Sequence, residues 1–354
     1  MTPLVSIGMP IYNAERTLRR AVQSLLAQDY WHFELIISDN GSTDGTEHIC
    51  RGFAGHDHRI RYVRHDTNRG AHWNFNYSVG LATGKYFMRM SHDDVRAPAY
   101  LSRCIALLEA HPRAVLCHSY TAAFYDDDLT NVACVLTHDT VVDVTNPRKR
   151  FMCALKHLPA SAIDGVFRTE ALRTKTRLLD ESYFSSDIVL THEVALHGEF
   201  VQVPEILFWR SGKNILPGPK DTLATYTPHL KPTVRFTLPF LALALHHLQS
   251  IRRSSLPLLD KALLVLQVIG HECRIGVIKV GFRSVTAVLG DRSPRWFLRA
   301  VIAMSRNPNI RLARPPQDLP PSVHPTWQLL NHRDQERALH LQNSLNAKLY
   351  PSRT

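Results

Sequence analysis

Two hydrophobic periods alternate along the first 120 residues. The apolar run Leu4–Met9 stops at Pro10 and predicts a buried strand, after which Leu18, Val22, Leu25 and Leu26 recur at helical spacing within 14–28. A second run, Phe33–Ser38, breaks at Asn40-Gly41-Ser42-Thr43-Asp44-Gly45, where turn residues and a capping Asp or Ser open another helix. The strand Ile60–Val63 leads through Asn68-Arg69-Gly70 to a helix ending near Leu81. Lys85–Met90 is a fourth strand, ending at Ser91-His92-Asp93-Asp94. A helix from Pro98 to Glu109 and a strand from Ala114 to Cys117 follow. Strands separated by single helices need right-handed crossovers, so the expected fold class is α/β: a Rossmann-like, mostly parallel sheet with helices on both faces.

Beyond residue 120 the pattern loosens. Helical fragments near 148–158 and 170–174, a helix from Asp187 to His197 and a strand pair over 200–209 are expected. After Pro217-Gly218-Pro219 come long amphipathic helices over 232–250, 257–289, 293–305 and 324–348, with an exposed linker at Pro315-Pro316 and Pro320-Pro321. The charge divides at the same place. The chain carries 42 Lys and Arg against 31 Asp and Glu; residues 215–354 hold 19 and 7 of these, so the whole basic excess lies there. The chain therefore divides into residues 1–215 and a basic, mainly helical 216–354. Six cysteines without a CxxC pair read as reduced thiols, not as a disulfide frame or zinc knuckle. Met1-Thr2-Pro3 enters a strand with no leader pattern. The longest apolar stretch, Phe236–Leu245, falls far short of the roughly 20 residues of a membrane span. A cytoplasmic protein is expected.

Ligands bind beyond the carboxyl ends of the strands in such sheets. Four polar clusters fall there: Tyr12-Asn13, Asp39-Asn40-Gly41, Asn68-Arg69-Gly70 and His92-Asp93-Asp94. Adjacent carboxylates about 4 Å apart repel by about 4 kcal/mol at an effective dielectric of 20. A divalent cation between them and a polyphosphate relieves this, and hard oxygen ligands select Mg2+ or Mn2+. The plainer reading makes Asp94 a helix cap. Asp39 is either the acceptor for a base N–H or the start of an Asx turn, and Asp187 is either a general base or a cap. His192-Glu193-x-x-x-His197 is not a zinc motif, because five residues turn about 500° and part the two histidines. The chain lacks GxGxxG and GxxxxGK[ST] loops, which excludes a Rossmann dinucleotide enzyme and a P-loop phosphotransferase.

Three blocks, VSIGMPIYNAERTLRRAVQSLLAQDYWHFELIISDNGSTDGT (5–46), NRGAHWNFNYSVGLATGKYFMRMSHDD (68–94) and SDIVLTHEVALHG (186–198), resemble glycosyltransferase family 2. The resemblance runs colinearly over about residues 3–212 and implies a GT-A fold and an inverting transferase. It places Pro10, Tyr12, Asn13 and Glu15 along the nucleotide pocket and Asp39 on the base. Asn68 and Gly70 fall beneath the nucleotide, with Asn76 as the later Asn of that block. His92, Asp93 and Asp94 match the end of the D-x-D-D element, which contacts the donor and holds Mg2+ or Mn2+ on Asp93 and Asp94. Asp187 matches the base. The sequence departs from the family's pattern at six places: Asn40 replaces a second acid, Ser91 the first acid of D-x-D-D, Phe75 an Arg that could meet phosphate, Ser186 the Glu of E-D, Glu193 an Arg, and Ser211-Gly212-Lys213-Asn214 stands after Phe208-Trp209-Arg210 where the family often places a His, a further metal ligand.

The reaction so implied moves a sugar from a nucleotide-sugar donor to the hydroxyl of a glycan or lipid-linked acceptor, in polysaccharide, cell-surface or lipid-linked glycan synthesis. A degenerate domain that binds nucleotide or glycan without turnover is the alternative, with Ser91 and Phe75 in its favour. A sugar-1-phosphate nucleotidyltransferase would need a Gly-rich, Arg-containing loop where Pro10-Ile11-Tyr12-Asn13 stands. The basic helices suit docking on the anionic inner membrane leaflet, at about 1 kcal/mol per charge. The competing reading is a solvated face on helices that merely cover the catalytic domain or form a contact between copies in a homo-oligomer. No nucleic-acid partner is expected, since no recognised module accompanies the charge.

Overall fold

Strands β1 (Val5–Ile11) and β2 (Phe33–Asp39) are buried on both faces, which is why their sequences run apolar without alternation. The computed structural model describes residues 4–125, 128–136, 144–157, 160–180, 186–211, 239–272 and 310–311. In it, β1 and β2 lie within a ten-stranded sheet beside β3 (Ile60–Arg64) and β4 (Tyr86–Arg89), all four parallel in the order β3-β2-β1-β4. The register aligns Ile11 with Asp39 and Asp39 with Arg64, so the strand ends share one edge.

Helices cover both faces. α1 (Leu18–Leu26) buries Leu18, Val22 and Leu25, three of the four positions whose spacing announced it, together with Ala21, while Leu26 is half-buried. With α2 (Thr46–His56) and α4 (Tyr100–Ala110) it packs on one side, in a core holding Ile7, Met9, Leu35 and Ile37. α3 (Ala71–Leu81), α6 (Thr169–Lys175) and α7 (Ser186–Val194) share the other core, with Ile36, Phe87 and Phe167.

Past β4 the sheet is mixed. β8 (Val166–Arg168) runs antiparallel to β4 and to β6 (Ala114–Tyr125), which continues to β7 (Asp128–Leu136) and β10 (Ile310–Arg311). The expected strand pair over 200–209 is one strand, β9 (Glu199–Ser211), parallel to β6 and tied at its end to the short β5 (Val95–Arg96). Pro204 interrupts the apolar run of this strand. A bulge falls there: Val203 pairs with Ser119 and Ile206 with Tyr120, so the donor-less Pro204 needs no ladder bond.

Helix α7 is buried from Val189 to Val194 and packs against α5 (Pro147–His157), α6 and α8 (Pro239–Arg253). α8 and α9 (residues 258–272) close a third core with Phe151, Ile251, Leu264 and Val268. The remainder of the expected 257–289 helix, the helices at 293–305 and 324–348, and the Pro-rich linker lie outside the described residues. Among the described residues no helix is long and apolar enough to cross a membrane.

Candidate functional site

The loops after β1, β2 and β3 are stitched together by their own polar side chains. Asn13 sits at φ 48, a left-handed conformation that Asn tolerates. Its backbone N–H donates to Ser42 Oγ (2.9 Å), and its Oδ1 accepts from Thr43 N (2.9 Å). Glu15 Oε2 accepts from Gly45 N at 3.0 Å. Asn40 Nδ2 donates to Asn68 Oδ1 (2.7 Å) and to the Gly70 carbonyl (3.1 Å). A carboxylate could not donate these bonds, which explains an amide where the family's pattern has a second acid. Gly70 opens α3 at φ 93, a conformation that an L side chain strains to adopt. Pro10 is half-buried at the end of β1, and Tyr12 stands exposed at the rim.

Asp39 is wholly buried. Its Oδ1 accepts from Ser42 N (2.9 Å) and Ser42 Oγ (2.6 Å), and its Oδ2 from the Tyr62 hydroxyl (2.7 Å). The carboxylate thus bonds the loop that follows it, at the N–H three residues on instead of the two of an Asx turn, and a base N–H would have to share these oxygens. Asn76 does not face this rim. Both ends of its amide are bonded to the Leu179 backbone, at 2.7 and 2.9 Å, so it anchors the segment leading to α7.

Beyond β4, His92 Nδ1 lies 2.8 Å from Thr17 Oγ1, joining this loop to the start of α1, and the Asp93 carbonyl accepts from Arg20 Nη2 at 3.4 Å. Asp93 is half-buried, whereas Asp94 is 1% exposed and its Oδ1 accepts from Ser211 N (3.0 Å). Burial, with Asp93 and Asp164 close by, pushes the Asp94 carboxyl up to about 7. Arg96 and Arg210 offset only part of this, and an acidic centre of this kind fits a cation. Among the described residues no three His, Cys, Asp or Glu side chains converge to hold one. Asp93 and Asp94 therefore fit Mg2+ or Mn2+ bound as Mg2+ commonly is, by one or two carboxylates with substrate phosphates completing the shell.

Asp187 lies half-buried in the first turn of α7, where the helix dipole favours a carboxylate. The preceding Ser186 lies with its Oγ 3.4 Å from Nδ1 of His72, in the first turn of α3 directly after Gly70, so α7 meets the loop edge at that point. Sequence reasoning missed the groups between the two sets of acids. Arg89, at the end of β4, donates from Nε to Asp164 Oδ1 (2.6 Å), and Arg96 donates to the Asp164 carbonyl (2.9 Å). Arg89 also acts electrostatically on His72. A charged residue inside the apolar strand Tyr86–Arg89 was the available signal for Arg89; Asp164 offered none.

Three departures from the family's pattern have structural reasons. Phe75 is a core residue, edge-on to Phe87 at 5.9 Å. Glu193 is buried and accepts from Arg253 of α8 at 2.8 Å, so the charge missing from α7 is supplied by another helix. Ser186 is buried against His72.

Residues 6–160 match the model of the family described as Glycosyl transferase family 2. EpsE of Bacillus subtilis, which carries the name of a glycosyltransferase, is 41% identical over 110 residues, covering 31% of this chain and 40% of its own. WcaA of Escherichia coli, named for colanic acid biosynthesis, is 36% identical over 121 residues, 34% of this chain and 42% of its own. The chain thus spans about two fifths of the length of these curated relatives. The crystal structure of S. aureus TarS 1–349 in complex with UDP superposes with a TM-score of 0.55 at 15% identity, covering 75% of this chain and 70% of that one, and so shares the fold.

Proposed function

We propose that the chain, whose residues 6–160 match the model of glycosyltransferase family 2, transfers a sugar from a nucleotide-sugar donor to an acceptor hydroxyl with inversion. The observation that carries the reading is the edge where the loops after four parallel strands meet the first turn of α7. The donor lies along Pro10, Tyr12, Asp39 and the 91–94 loop, with Asn13, Glu15, Asn68 and Gly70 shaping the walls. Asp93 and Asp94 would hold a Mg2+ or Mn2+, which when bound neutralises the charge growing on the diphosphate. Asp187 takes the proton of the acceptor hydroxyl as its oxygen attacks the anomeric carbon from the face opposite the diphosphate. The bond to the diphosphate breaks with its electron pair on the departing oxygen.

The product we infer is a polysaccharide or other cell-surface or lipid-linked glycan, in keeping with the name of the WcaA relative. The basic excess of residues 215–354 supports docking on an anionic cytoplasmic membrane face, where lipid-linked acceptors lie. Asp187→Asn tests the core of the proposal. Donor affinity should stay within about twofold, while transfer falls by the roughly 10²- to 10⁴-fold that general-base catalysis contributes. Full transfer in that variant would contradict the base assignment.

A further inference from the structure

Helix α9 is apolar almost all round, yet it is covered on one side only. Leu264 and Val268 are wholly buried in the third core. Leu258, Leu259, Leu263, Leu266 and Ile269 fall within about 140° of arc on the other side, an arc that holds no charged residue. All five are exposed, Leu258 by 85% and Leu266 by 67%. A single exposed leucine is ordinary, but five along one helix face mark a surface that meets a partner.

The same arc runs into a basic cavity. Gly270 lies four residues after Leu266, and no atom of another element stands within 4 Å of the position a Cβ would take there. It lines a cavity of about 560 Å³ between α9 and α5, and the α5 wall carries Arg148, Lys149, Met152, Cys153 and Lys156 at three- and four-residue spacing. Arg148 pairs with Asp260 of α9 at 3.2 Å. Lys149 and Lys156 are exposed, and neither pairs with an acid among the described residues. α5 packs in turn on α7, so the cavity stands one helix away from the helix that bears Asp187.

We propose that the cavity and the apolar arc beside it form one site for the anionic phospholipids of a membrane leaflet. The phosphate headgroup sits among Arg148, Lys149 and Lys156, while Leu259, Leu263 and Leu266 lie at the boundary between headgroups and acyl chains. The inference rests on the reading that this chain docks on membrane, and it gives that docking a defined contact whose three cations lie outside the basic 215–354 segment. Charge decides between the possible occupants. In a symmetric contact between two copies each patch meets its own equivalent, so lysines would face lysines. A leaflet supplies both the phosphates and the apolar boundary.

Sedimentation of the full chain with vesicles in about 0.1 M salt tests this. Wild type should bind phosphatidylglycerol vesicles in preference to phosphatidylcholine ones. Lys149→Gln with Lys156→Gln should lower the partition coefficient on phosphatidylglycerol about 30-fold, at about fivefold per charge. Leu259→Ser with Leu266→Ser should lower it at least tenfold, to judge from the apolar surface removed. Arg51→Gln with Arg61→Gln, two exposed positions on α2 and the edge strand β3, should change it less than about threefold. Every one of these side chains is exposed, so all the variants should keep the urea midpoint of wild type. A wild type indifferent to phosphatidylglycerol overturns the membrane reading and this site with it. Binding that survives the lysine or the leucine pair unchanged, or that the Arg51 and Arg61 pair weakens as much, overturns the site alone and leaves docking to overall charge. A lipid-free dimer in sedimentation equilibrium that the leucine pair dissolves assigns the arc to a second copy, which overturns the site as well.

Discussion

Neighbouring acids at 93 and 94 differ only in burial, and the difference sets their chemistry. Asp94 is enclosed, bonded to Ser211 N and crowded by Asp93 and Asp164, so its carboxyl is raised to about 7. A raised folded-state value means that its contribution to stability is fully present below the unfolded value of 3.8 and is lost as pH rises through about 7. In metal-free protein the urea midpoint should therefore fall between pH 5 and pH 8 by more in wild type than in Asp94→Asn. Equal falls in the two proteins would contradict the burial argument. Asn13, Asn40 and Asn68 were legible as rim residues because turn chemistry placed them after strands, and Glu15 was legible only through the resemblance. Their actual partners were not legible: they bond each other's loops across about 30 residues of sequence. Asn76 was misplaced for the same reason, since its partner Leu179 lies 103 residues on. His72 carried no signal at all.

Elements with a clear period were read nearly to the residue, and those without one were not. β1, β2 and α1 matched because a doubly buried strand and an amphipathic helix leave distinct patterns. α7 is buried almost all round, so its sequence shows no apolar stripe, and the helix expected over 187–197 ends three residues earlier, at Val194. The β8 strand is only three residues long and pairs with strands on either side at long range, which nothing local announces. The helices α8 and α9 pack on α5 and α7 through Phe151, Ile251 and Leu264, the covering role that was one of the two readings of their charge. If they also dock on membrane, the full chain should pellet with phosphatidylglycerol vesicles and stay in solution with phosphatidylcholine ones, the difference vanishing toward 1 M salt. Equal partition at low salt would leave the charge to a solvated face or a contact between copies.

Across the whole molecule, residues 10–15, 39–45, 68–72, 91–94 and 186–187 come from five separate connections, and the parallel half of the sheet brings four of them to one edge. The fifth arrives by α7, clamped between α5, α6 and α8. This division separates a donor and cation side, on the 91–94 loop, from a proton-accepting side at α7, which the proposed chemistry requires. Calorimetric titration of the full chain with UDP and GDP, with and without Mn2+, tests this most directly. One of the two nucleotides should bind with a strong dependence on Mn2+, and Asp93→Ala should abolish that dependence. Absence of binding by either nucleotide at millimolar concentration would contradict the account.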